Sequence, residues 1–172
     1  MTKKVLYIII GIIFGAIISI ISAEMIEHTS DINFCSSCHS MKGVSESYLL
    51  DVHGGNSKHA VKAKCADCHL PHNNVTNYLI TKGYTGAKDV LGEIFWAESF
   101  DWVKNLENRQ EFTYSSGCLK CHDIENMKYE IPKAFIAHKD FREGKVRSCV
   151  ECHEHVGHKN IKNFLTINKE EK

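Results

Sequence analysis

Eight cysteines and eleven histidines in a 172-residue chain are an unusual endowment, and their spacing points to one kind of chemistry. The cysteines fall in four identical frames: Cys35-Ser-Ser-Cys38-His39, Cys65-Ala-Asp-Cys68-His69, Cys118-Leu-Lys-Cys121-His122 and Cys149-Val-Glu-Cys152-His153. Two thiols separated by two residues can form thioethers to the two vinyl groups of a haem, and the adjoining histidine then sits under the iron as an axial ligand. Tetrathiolate zinc sites, redox-active dithiols and structural disulfides also use paired cysteines. None of them requires a histidine after every pair, and no cysteine here is left over. The frames read as four covalent haem c sites. Cys35, Cys38, Cys65, Cys68, Cys118, Cys121, Cys149 and Cys152 are the thioether donors, and His39, His69, His122 and His153 are candidate iron ligands.

The first cysteines of the frames stand at 35, 65, 118 and 149, so the spacings are 30, 53 and 31. The chain reads as two di-haem modules, about 31–90 and 112–160. Each has a histidine between its frames: His53 lies twelve residues before Cys65 and His138 eleven before Cys149. That parallel makes both candidates for the sixth ligand of a haem in their own or the other module. His158, five residues past His153, is a further candidate. His59 and His72 are weaker ones, His155 is too close to its own frame, and His28 is placed to face lipid headgroups. The first frame continues into Ser40-Met41, so either His39 or Met41 can serve the first iron; alternatively Met41 packs on the haem face. Histidine pairs suit low-potential haems, and methionine raises the potential.

The elements that hold these frames begin with a membrane anchor. Lys3 and Lys4 precede an uncharged run from Val5 to Ala23. As a helix it spans about 28 Å, enough to cross a hydrocarbon core. The lysines favour a cytoplasmic N-terminus, with the remainder beyond the inner membrane. A cleaved signal peptide usually has a shorter apolar stretch and small residues around the cut. Ile21, three residues from a cut after Ala23, fits that poorly. The expected division is residues 1–27 as cytoplasmic tip and transmembrane anchor and 28–172 as a periplasmic tetrahaem domain. Gly11, Gly15, Ser19 and Ala23 share one helix face, which suits close approach of a second helix in a homo-oligomer, although small residues are common in such helices anyway.

Beyond the anchor, a domain this small buries little core of its own. The expected fold is mainly α with much irregular structure, short helices surrounding haems that supply most of the apolar interior. The stretch from Leu91 to Val103 is rich in aromatics and suits either a helix at the membrane interface or packing against haem. Lysine plus arginine and aspartate plus glutamate both total 21, so charge gives no case for nucleic-acid binding.

Taken together, these residues resemble the NapC/NirT/NrfH family of membrane-anchored tetrahaem quinol dehydrogenases. The resemblance rests on Phe34-Cys35-Ser-Ser-Cys38-His39-Ser40-Met41, Asp51-Val52-His53, Cys65-Ala-Asp-Cys68-His69-Leu70-Pro71-His72, and Cys149 to His153 followed by Gly157-His158-Lys159. It implies electron transfer from membrane quinol, either menaquinol or ubiquinol, through four haems to a periplasmic terminal reductase for nitrite, nitrate or an N- or S-oxide in anaerobic respiration. It implies Met41 as a ligand of the first haem and Lys82 and Asp89 as the quinol site, with Asp89 as proton acceptor and Lys82 orienting the ring oxygen. It also implies pairing of His69 with His158, His122 with His138, and His153 with His53. Two other readings compete: a wire fed by another membrane protein, and a catalytic multihaem reductase. The latter usually has lysine in place of one frame's histidine, and all four frames here end in histidine.

Overall fold

The computed structural model describes residues 2–58, 61–126, 128 and 130–170. All regular structure among the described residues is helical. Helix α1 (Lys3–His28) contains the apolar run, with a mean hydropathy of 2.7 and none of its most apolar window buried. A lone apolar helix must satisfy its own polar groups. The Ser19 and Ser22 hydroxyls do so by donating to Gly15 O (2.9 Å) and Ile18 O (2.8 Å).

Three residues after α1, the short α2 (Ile32–Cys35) leads into the first frame. It is followed by α3 (Lys42–Leu49), α4 (Cys65–His69) and α5 (Val75–Trp96). The second half carries α6 (Trp102–Asn105), α7 (Arg109–Phe112), α8 (Ser115–Cys118), α9 (Pro132–Arg142) and α10 (Ile161–Glu170). Short polar side chains start several of these. Asn74 accepts from Asn77 N (2.8 Å) to begin α5, and Pro132 opens α9, where a missing N–H costs nothing. The aromatic stretch is not one interfacial helix. α5 ends at Trp96, a 3₁₀ turn covers Ala97–Ser99, and Asp101 caps a new helix by accepting from Lys104 N (3.1 Å).

The buried apolar side chains among the described residues are few: Ile32, Tyr48, Ala66, Leu70, Val150 and Leu165. Polar ties do much of the joining. Lys64 pairs with Glu27 at the end of α1, and Ala66 N donates to Ser30 O (3.3 Å). The two halves meet where α4 packs on α8. Tyr114 N donates to Cys68 O (2.9 Å), His72 N to Ser116 Oγ (2.9 Å), and Lys120 pairs with Asp67 (2.6 Å). The C-terminal half also returns to α3, with Lys159 N donating to Ser47 O (3.1 Å).

Gly117 makes the α4–α8 contact sterically possible, because a Cβ there would sit inside the van der Waals radius of the Asp67 carbonyl oxygen. Gly117→Val should lower stability by about 1–3 kcal/mol, the usual cost of overpacking, read as an earlier thermal loss of helical dichroism.

Candidate haem centres and quinol site

Frames two, three and four are wound into helical turns, which bring residues i and i+3 to one side, whereas in frame one α2 ends at Cys35 and Cys38 is extended. His122 N donates to Cys118 O (3.0 Å) and His153 N to Cys149 O (3.0 Å). In the second frame all five residues form α4. Each turn therefore sets its two thiols together with the histidine following. Across frames, the Cys35 thiol lies beside that of Cys65, and that of Cys118 beside that of Cys149. Each neighbour holds one thiol of its pair low, Cys35 and Cys149, and pushes the other up. Frame one thus abuts frame two, frame two meets frame three through α4 and α8, and frame three abuts frame four. The order in space follows the order in sequence.

The histidines meet in pairs. The rings of His69 and His158 are 6.1 Å apart between centroids, those of His53 and His122 6.2 Å, and those of His138 and His153 6.1 Å. Two metal–nitrogen bonds of about 2 Å each, plus the distances from nitrogen to ring centre, put two imidazoles on opposite faces of one metal roughly 6 Å apart. The observed gaps match that arrangement. The first pair is the expected one. The other two exchange partners: His53 faces His122 rather than His153, and His138 faces His153 rather than His122. His138 therefore meets a histidine of its own module, and His53 meets one of the other.

Hydrogen bonds fix the tautomers. Nδ1–H donates to Phe112 O in His69 (2.6 Å), to Asp51 Oδ1 in His53 (3.0 Å), to Ala134 O in His138 (2.8 Å) and to Val44 O in His158 (3.1 Å). Each bond leaves Nε2 with its lone pair, the form a metal takes. Desolvation lowers the His158 ring to about 4, so it stays neutral. His72 is arranged the other way. Its Nε2–H donates to Ala66 O (3.0 Å) and its ring lies against Tyr78, so it ties to α4 through the nitrogen that the four histidines above leave free. His155 is exposed, His28 packs edge-on to Phe34, and His59 lies outside the described residues.

At the anchor end, α5 faces the first frame with one stripe. Residues 82, 86, 89 and 93 recur at helical spacing. Lys82 Nζ donates to Thr29 O (3.1 Å) and Ser30 Oγ (2.9 Å), just past α1. Desolvation lowers its ammonium, opposed by Cys35 and by the Glu27 carboxylate. Asp89 lies close enough to Cys35, Cys38 and His69 to act on all three electrostatically. Desolvation raises its carboxyl above the usual range, although Lys88 and His69 pull the other way. Between them Gly86 carries no side chain, with nothing within 4 Å of where a Cβ would lie. Glu93, one turn further on, takes the Ser40 hydroxyl and Ser40 N (3.3 Å), and its Oε1 lies 3.2 Å from His39 Nε2. The Ser40 hydroxyl is the main reason its carboxyl stays low and ionised. Nearby, an open groove of about 480 Å³ is lined by Glu24, Met25, His28, Thr29 and Phe34.

Comparison with known proteins agrees with this arrangement. The profile of the NapC/NirT cytochrome c family, N-terminal region, matches residues 1–163. The chain belongs to the NapC/NirT cytochrome c family. A putative tetraheme cytochrome c-type protein of Allochromatium vinosum is 32% identical, covering 91% of this chain and 90% of its own length. The tetraheme c-type cytochrome CymA of Shewanella oneidensis is 32% identical, covering 88% of each. The chain spans less than half of some longer relatives, such as 44% of Escherichia coli O157:H7 TorY, 28% identical over 89% of this chain. Among solved structures, one in the crystal structure of the cytochrome c nitrite reductase NrfHA complex bound to the HQNO inhibitor aligns with a TM-score of 0.59. It is 25% identical and covers 87% of this chain and 88% of that one.

As a member of this family the chain is a tetrahaem c-type cytochrome of electron transport with an N-terminal apolar helix consistent with membrane anchoring. Four haems fit the residues present: eight thiols in four frames, and three imidazole pairs at metal-spanning distance. When bound, the haems supply reversible one-electron chemistry. The frames' own spacing could not reveal Gly86 or Glu93. The signal that could have found them is the recurrence of 82, 86, 89 and 93 on one helix face.

Two substitutions separate ligands from supports. His53→Met should raise the potential of one haem and leave the other three in place, read by potentiometric titration. His72→Ala should leave all four haem spectra unchanged; a lost haem signal would instead make His72 a ligand.

Proposed function

We propose that this cytochrome oxidises membrane quinol beside its first haem and passes the electrons, haem by haem, to a terminal reductase in the periplasm. The observation that carries this reading is the α5 stripe, which sets Lys82 and Asp89 on one face against the first frame, immediately beyond the anchor. They stand seven residues apart, about 10.5 Å along the helix. Gly86 leaves the space between them clear for a flat ring. An ammonium has three hydrogens. Two of Lys82's are committed to Thr29 and Ser30, and the third can go to a quinol oxygen.

Oxidising a quinol to a quinone releases two electrons and two protons. Losing a proton with the first electron avoids a cationic radical. The Asp89 carboxylate takes that proton, and its raised pKa improves it as a base. Lys82 holds the ring oxygen in place. The lysines at the N-terminus support an orientation with the haem domain in the periplasm. On the exit side, His138 and His153 both belong to this chain, so a reductase can dock at the fourth haem without contributing a ligand. The kinship with a nitrite reductase complex, and with relatives named NapC and TorC, supports nitrite, nitrate or an N- or S-oxide as the class of terminal acceptor.

Anaerobic stopped-flow reduction of the detergent-purified protein by a menaquinol analogue tests the proposal. Fast haem reduction, slowed by HQNO, is expected. Lys82→Ala and Asp89→Asn should each slow it by about 100-fold, the lower end of what a positioned acid or base contributes. The rate should fall as pH drops through the raised Asp89 pKa, because the protonated carboxyl accepts nothing; Asp89→Asn should remove that limb. Dithionite reduction of all four haems with none by quinol would leave a wire fed by another protein.

Gly86→Leu gives a second, independent check. Leucine favours a helix over glycine by roughly 1 kcal/mol, so α5 should persist. Quinol and HQNO binding should weaken while the haem potentials hold.

A further inference from the structure

Glu93 is the one member of the α5 stripe that the quinol reading leaves without a role. Its carboxylate is two-thirds of a clamp. One oxygen takes the Ser40 hydroxyl; the other takes Ser40 N (3.3 Å) and lies 3.2 Å from His39 Nε2. Nε2 is the nitrogen through which a frame's histidine would reach its iron, and here it faces a carboxylate oxygen at ion-pair distance. The three other frame histidines each face a second imidazole at 6.1–6.2 Å. His39 instead turns outward, its side chain 85% exposed, to meet a carboxylate only 16% exposed.

Local backbone geometry makes this a choice between two ligands. His39 to Met41 form one 3₁₀ turn. At three residues per turn, residues two apart point roughly 120° away from each other. A turn that sends His39 toward α5 therefore sends Met41 elsewhere, and Met41 is the more enclosed of the two.

We infer that Glu93 is a positioning residue: it holds His39 away from the first haem's iron and so assigns that iron face to Met41. Met41 as a ligand follows from the family resemblance; the clamp that enforces it is on α5, fifty-odd residues away. The consequence is electronic. A thioether in place of an imidazole raises the potential, so the clamp sets haem one apart from three haems with paired imidazoles. This role holds whether or not quinol is the donor.

Electron paramagnetic resonance and near-infrared magnetic circular dichroism of the full-length, detergent-purified holoprotein test it. The wild type should show three bis-imidazole haems and one distinct haem with a sulfur ligand; four bis-imidazole signals would overturn the role. Glu93→Gln keeps a carbonyl oxygen for His39 and should keep the distinct signal. Glu93→Ala frees His39, and the distinct haem should gain a nitrogen-ligand signature with a downward shift in its midpoint potential. An unchanged signature in Glu93→Ala, even with slower electron transfer, would make Glu93 merely structural. Should Glu93→Ala not mature, Ser40→Ala carries the same test. It loosens the clamp and should give a mixture of two haem-one signals, whereas a single wild-type signal would sink the idea.

Discussion

Three pairs of imidazole rings, each about 6 Å across, join segments separated by 69, 89 and 15 residues: His53 with His122, His69 with His158, and His138 with His153. The rest of the structure depends on holding those rings at that gap. The aliphatic interior is too thin to do so unaided, with only six apolar side chains buried among the described residues. Four of the six rings, those of His53, His69, His138 and His158, are aimed by a hydrogen bond from Nδ1 to a nearby carbonyl or carboxylate. Two of the three pairs cross between halves of the chain. Iron bound between them would close long loops, whose entropic cost grows only slowly with length. Folding and cofactor loading are in this sense one process.

The remaining constraint is steric. For four frames to lie in a row, their turns must touch, and they touch through thiols and through one glycine. Cys35 meets Cys65, Cys118 meets Cys149, and Gly117 lets α8 sit on the α4 carbonyl at Asp67. Ser115 adds to the last junction by accepting from Cys149 N (3.1 Å). The result is a serial path in which every frame neighbours the next.

Much of this was legible in the residues. The CxxCH frames announce covalent haem because the chemistry demands that spacing, and the uncharged run from Val5 announces α1. The helical character followed from a chain too small for a large core. Of the histidine pairings that the resemblance implied, His69 with His158 is met and the other two exchange partners. Sequence distance placed His53 and His138 in equivalent positions, whereas which ring each one faces depends on how α4 and α8 dock, a tertiary contact with no local signature. The break in the aromatic stretch after Leu91 was not legible, because composition does not reveal that Asp101 caps a new helix. Glu93 was invisible for another reason: a lone glutamate on an amphipathic helix looks like a solvated side chain until the Ser40 and His39 contacts are seen.

Only Thr29, Ser30 and Asp31 separate the apolar helix from α2, and Ser30 is pinned by Lys82 and by Ala66 of the second frame. Such a join is a weld rather than a tether. A long flexible leash would let the haem domain sweep a volume and lose effective concentration at any one place. This chain gives that freedom up. With α1 in a bilayer, as the proposed function has it, the first frame would ride at a fixed height over the lipid and the last would point along a fixed direction. A soluble acceptor would then have to come to it, in the right pose, while the cytochrome itself searched only by drifting sideways within its sheet of lipid.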